Sequence, residues 1–128
     1  MVRALAALAI VGFLMVAPAC GTRLQQPSIR IVGWRVVGSA VILKVKIAGW
    51  KMAPPHQGPP PKAHTGQWQI FADELYAGFS YDASYGTING LASGTYKIWA
   101  ALARTDYSLV YPLIRSRPVT VHIRNDDL

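Results

Sequence analysis

The chain has 128 residues, room for one domain, and carries 13 Lys and Arg against 6 Asp and Glu, a formal net charge of +7. Its single cysteine excludes an internal disulfide and a paired-thiolate metal site. The basic residues stand singly rather than in runs, which argues against a phosphate backbone as the partner.

Residues 1–19 differ in kind from the rest. Arg3 is their only charge, and from Ala4 to Ala19 every residue is apolar, Gly or Pro. A positive start, an apolar run and a small-residue ending make an export signal. The run is short of the roughly 20 residues that cross a bilayer as a helix. Ala17-Pro18-Ala19 satisfies the small-x-small rule of ordinary signal peptidase, and the same stretch followed by Cys20-Gly21 looks like a lipobox, where a lipoprotein is cut just before a lipid-modified Cys. A lone thiol is a liability outside the cell, and lipidation gives Cys20 a purpose. The expectation is a lipoprotein signal over 1–19, then a palmitate-bearing Cys20 and a polar tether over 20–27. The domain follows over 28–124, with a tail over 125–128. A soluble secreted chain and an uncleaved anchor are the other readings. Removing residues 1–19 and Arg3 with them leaves 109 residues with a net charge of +6. That charge either solvates the surface or draws the domain to anionic head groups or acidic cell-surface polymers.

After the leader, the apolar residues recur at period two, with Gly or Pro every ten or so residues. Strands are predicted over 29–37 and 40–50, where Val41, Leu43, Val45 and Ile47 oppose Ile42, Lys44 and Lys46. Next come 67–72, with Trp68, Ile70 and Ala72 on one face, then 75–80 and a short strand near Thr87. Tyr96, Ile98, Ala100 and Leu102 alternate with Lys97, Trp99, Ala101 and Ala103, and the last strand sets Val119, Val121 and Ile123 against Thr120, His122 and Arg124. Each strand is expected to bury one face and wet the other, as antiparallel sheets do. About seven strands in roughly 100 residues is the count of an immunoglobulin-like β-sandwich, all-β and antiparallel, with a small barrel as the rival. In that frame Trp68 is the buried Trp of strand C, and Tyr96, just after Gly94, is the tyrosine corner opening strand F.

Two connections are long. Residues 52–66 hold five prolines and read as a stiff exposed loop, and 104–118 joins the last two strands.

No Gly-x-Ser-x-Gly occurs, and the adjacent acids Asp73-Glu74 and Asp126-Asp127 point to opposite sides of an extended chain, so no enzyme is expected. The histidines His56, His64 and His122 include no close pair of metal-ligand spacing. His56 and His64 share the Pro-rich loop, as exposed polar surface or, in an alternative, as the start of a copper or zinc site. His122 faces outward.

From about Val41 to Ile123 the chain resembles a group of uncharacterised bacterial exported proteins, commonly lipoproteins, with one Ig-like module. The shared residues are Gly66, Trp68, Ile70, Phe71, Asp73, Leu91, Gly94, Thr95, Asp106, Ser108 and Val119-Thr120-Val121. Where that group carries three histidines, this chain has Gln67, Gln69 and Tyr107. Three imidazoles there would suit copper or zinc, and amide oxygen is a poor substitute. The resemblance therefore implies an Ig-like lipoprotein in which that metal site is lost, and no cofactor is expected. What remains is an outward surface of Gln67, Gln69, Phe71, Lys97, Trp99 and Tyr107, suited to an envelope protein or a glycan. The expected function is a non-catalytic binding or structural module anchored through Cys20 at the cell envelope. A metal-handling periplasmic domain and a soluble secreted glycan-binding module are the alternatives.

Overall fold

The computed structural model describes residues 26–55 and 62–124. Cys20, the leader, His56 and the tail over 125–128 lie outside the described residues. The described chain is all-β, with eight strands: β1 (Ser28–Val37), β2 (Ala40–Ala48), β3 (Lys51–Met52), β4 (Thr65–Ala72), β5 (Leu75–Ser80), β6 (Tyr85–Ile88), β7 (Gly94–Arg104) and β8 (Val119–Ile123). No helix occurs among the described residues.

Two sheets form. The first has the order β1-β2-β6 and is antiparallel throughout. The second runs β3-β4-β7-β8, with β5 also paired to β4; only β3 runs parallel to its neighbour. β3 and β5 divide one edge of β4, since Met52 stands opposite Gly66 while Ser80 stands opposite Trp68.

The period-two apolar residues of both sheets meet in one sandwich-like core. Ile29, Val41, Leu43, Val45 and Ile88 come from the first sheet; Trp68, Ile70, Ile98, Ala100, Leu102, Val121 and Ile123 come from the second. Burying a Leu, Ile or Val side chain is worth about 1.5–3 kcal/mol, so this cluster holds the sheets together without a disulfide. Trp68 is fully buried at its centre, and its Nε1 donates to the Asp82 carbonyl at 2.8 Å. The indole leaves no space for a side chain at Gly86, where a Cβ would lie 2.5 Å from the ring. Tyr96 enters β7 half-buried, its hydroxyl donating to the Ala92 carbonyl at 2.8 Å.

Two expectations need correction. The strand predicted over 40–50 ends at Ala48, because Gly49 takes a left-handed turn (φ 65°) that sends Lys51–Met52 into the other sheet. The exposed loop expected over 52–66 is shorter at both ends, since Met52 closes β3 and Thr65 and the buried Gly66 open β4. The long connection over 104–118 docks on the second sheet. It runs along the edge of β7 beyond the end of β8, where Leu102 N donates to Ile114 O at 3.0 Å and Ser116 N to Ala100 O at 2.7 Å. These bonds satisfy backbone groups that a bare edge would expose. Before them, between Val110 and Ile114, which both bond to Leu102, stand cis-Pro112 and Tyr111, the latter 84% exposed.

Candidate functional site

The outer face of the second sheet carries the residues singled out from sequence. Register sets Gln67 opposite Ala103, Gln69 opposite Ala101, and Phe71 opposite Trp99. All therefore share one face, as the alternation implies. That face is not uniformly wet.

Gln67 and Gln69 are buried, correcting the expectation that they stand in solvent, and Ala101 and Ala103 beside them are buried too. The turn after β7 covers Gln69. Arg104 N donates to Ser108 O at 2.8 Å and Tyr107 N to Arg104 O at 3.0 Å, folding the chain back across the sheet with Thr105 buried beneath it. The Gln69 Nε2 donates to the Tyr107 carbonyl at 2.8 Å and holds the turn there. Gln67, further along the face, is fully buried, and neither amide atom has a hydrogen-bond partner. Trp50 Nε1 is likewise buried and unpartnered. Asp106 closes the turn by accepting from Ser108 N at 3.0 Å and from Ser108 Oγ at 2.6 Å. The Ser108 hydroxyl, then its N–H, hold the Asp106 carboxyl below its ordinary range.

Towards the other end of the face the aromatic residues remain accessible. Phe71 and Trp99 stack with ring centroids 4.2 Å apart and an interplanar angle of 11°. Tyr76 meets the Phe71 ring edge-on at 6.1 Å, and the Arg115 guanidinium lies 3.9 Å over Trp99. The result is a row, Tyr76–Phe71–Trp99–Arg115, crossing β5, β4, β7 and the segment after it. Trp99 is half-buried rather than free in solvent, because Phe71 and Arg115 sit against it and its Nε1 donates to the Asp73 carbonyl at 2.8 Å. Asp73 also binds the backbone of Lys97 at both ends, accepting at Oδ1 from Lys97 N (2.9 Å) and donating its own N–H to Lys97 O (2.7 Å). The Lys97 side chain is exposed beside this clamp. Tyr107, half exposed, packs edge-on against Phe79 at 5.6 Å. Burial, then the neighbouring Tyr107, raises the pKa of the Tyr76 phenol.

Tyr76, Phe79 and Arg115 were missed from sequence. The first two lie on a predicted strand, but the bulge between Ile70 and Phe71 sets which of its residues face outward. Arg115 depends on where the long connection docks.

His56, which the metal-site alternative pairs with His64, lies outside the described residues. His64 stands at φ 55°, its ring centroid 6.3 Å from that of Trp50, while His122 shares a 2.9 Å hydrogen bond with Thr95. Among the described residues no three His, Cys, Asp or Glu side chains gather. Compared with known protein families, curated proteins and solved structures, the chain matches none of them.

Proposed function

We propose that this chain is an exported lipoprotein, held on the extracytoplasmic side of the cell envelope through lipid on Cys20, with an Ig-like sandwich that acts as a non-catalytic binding module. The anchor is supported by the apolar run that ends at Cys20-Gly21. The Ig-like assignment is supported by strand order. Lettered along the chain, β1-β2-β6 corresponds to A-B-E, and β4-β7-β8 to C-F-G with β5 on the outer edge of C. Trp68 then occupies the buried strand-C position, and the Tyr96–Ala92 hydrogen bond has the geometry of a tyrosine corner.

The observation that carries the binding role is the Tyr76–Phe71–Trp99–Arg115 row. Flat rings locked by stacking lose little entropy on binding, and Trp, Tyr and Arg are the side chains that dominate recognition surfaces. A sugar ring or a planar protein group fits such a row, so the partner class is an envelope glycan or protein. The test compares wild type with Trp99→Ala for co-sedimentation with isolated envelopes and with purified cell-wall glycan. Loss of about 2 kcal/mol or more of binding, with a cooperative thermal transition retained, is the expected result. Unchanged co-sedimentation would contradict the binding role, and outright unfolding would make Trp99 a structural residue.

A further inference from the structure

On the opposite side of the core, the outer face of β1-β2-β6 is cationic. Residues facing one another across a sheet share a side, and Val41, Leu43 and Val45 point into the core. Lys44 and Lys46 therefore point out, as do Arg30, the cross-strand partner of Lys46, and Arg35, the partner of Ile42. All four cations are exposed, and none of them makes an ion pair with a described residue. No Asp or Glu lies on these three strands. The described acids stand in connections: Asp73 and Glu74 between β4 and β5, Asp106 after β7, and Asp82 before β6. The Asp82 carboxylate is occupied by the N–H groups of Ser84 and Tyr85, both at 2.8 Å.

The rim of this face is apolar and aromatic. Tyr85, 49% exposed, lies beneath the Lys44 ammonium at 5.9 Å. Val37 is exposed at the end of β1, on the side of the cations, whereas Trp34 shares the core side with Leu43. At the other end, a cleft of about 1090 Å³ beside β1 and β2 is lined by Arg30, Lys46 and Arg117 and, from the core side, by Ile31 and Ile47.

We propose that this face docks on an anionic lipid surface, the membrane holding the Cys20 anchor; the proposal rests on the lipoprotein reading. Two observations select this occupant. The first is charge complementarity, since exposed cations bordered by Tyr85 and Val37 suit a headgroup layer that is anionic outside and apolar beneath. The second is reach. Seven residues separate Cys20 from Ser28, the first residue of β1, and the eight steps between them span at most about 28 Å. A tether that short keeps the β1 sheet at high effective concentration over its own membrane. The aromatic row of Tyr76, Phe71, Trp99 and Arg115 then points away from the lipid, free for its partner.

The test uses the full chain in flotation with vesicles of phosphatidylcholine alone or mixed with phosphatidylglycerol, at low and high salt. Two triple variants remove equal charge: R30Q/K44Q/K46Q on the face and K51Q/K62Q/R104Q elsewhere, each made with and without Cys20→Ser. One basic residue at an anionic surface strengthens binding by about fivefold. The face triple is expected to lose at least about tenfold of the phosphatidylglycerol-dependent binding, the control triple less than about twofold, in both Cys20 backgrounds. Thermal unfolding checks that both triples fold, and single R30Q and K46Q variants, each expected to lose a few-fold, replace the face triple if it does not. Equal phosphatidylglycerol-dependent binding by the two triples would overturn the proposal. Soluble heparin bound as tightly as the vesicles, through the same three residues, would overturn it in favour of an acidic polymer. Failure of the anchor reads out separately, as equal retention of wild type and Cys20→Ser on phosphatidylcholine alone.

Discussion

The Gln69 side chain donates to the Tyr107 carbonyl at 2.8 Å, a bond that ties the turn after β7 to the sheet beside the Tyr107–Phe79 ring contact. Tyr107 sits at φ 73°, a left-handed conformation that a non-glycine residue holds only when its surroundings impose it. Gln69→Ala removes both the bond and packing volume. The expected loss is about 1–3 kcal/mol. For a domain of this size that is a fall in Tm of about 4 °C or more. Backbone hydrogen exchange at Tyr107 and Ser108 should quicken more than in β2. Unchanged exchange there would show that the turn is held by something else.

Gln67 is the reverse case. Its amide is fully buried with no hydrogen-bond partner, so both polar ends were desolvated without return. Gln67→Met keeps the length of the side chain and removes the penalty. A gain of about 1–2 kcal/mol is expected, seen as a higher denaturation midpoint at unchanged m-value. Destabilisation would mean that the amide is satisfied in solution.

The contrast between these neighbours shows what could be read from the chain itself. Period-two alternation placed Val41, Leu43, Val45, Trp68, Ile70, Ile98, Val121 and Ile123 inside, and each is buried. It failed over Ala100-Ala101-Leu102-Ala103, where both faces are buried. The warning there was the lack of any polar residue from Ile98 to Ala103, which marks a strand covered on both sides. No local pattern reveals that a turn closes over Gln69, because that cover is tertiary. The cationic face was hidden for a related reason. Arg30, Arg35, Lys44 and Lys46 are scattered in sequence and meet only through the β1–β2 register, which shifts at the bulge between Ile31 and Gly33.

The acid side of the turn has its own signature. Hydrogen bonds from the Ser108 hydroxyl and N–H favour the ionised Asp106 carboxylate and lower its pKa from the ordinary 3.8. A carboxyl depressed in the folded state supports the fold above its unfolded pKa, and that support is lost as pH falls through the folded value. An NMR titration of the Asp106 side-chain carbonyl should therefore have its midpoint below 3.8, and Ser108→Ala should move it upward. A midpoint unmoved by Ser108→Ala would contradict the assignment of cause.

The proposed lipid on Cys20 is tested by palmitate incorporation in the full chain and in Cys20→Ser in a bacterial host, followed by membrane fractionation. Wild type should carry label and sediment with membranes; Cys20→Ser should carry none and lose stable membrane retention, keeping at most the salt-sensitive contact of the cationic face. Equal labelling, or equal salt-resistant retention of the two chains, would rule out the Cys20 anchor.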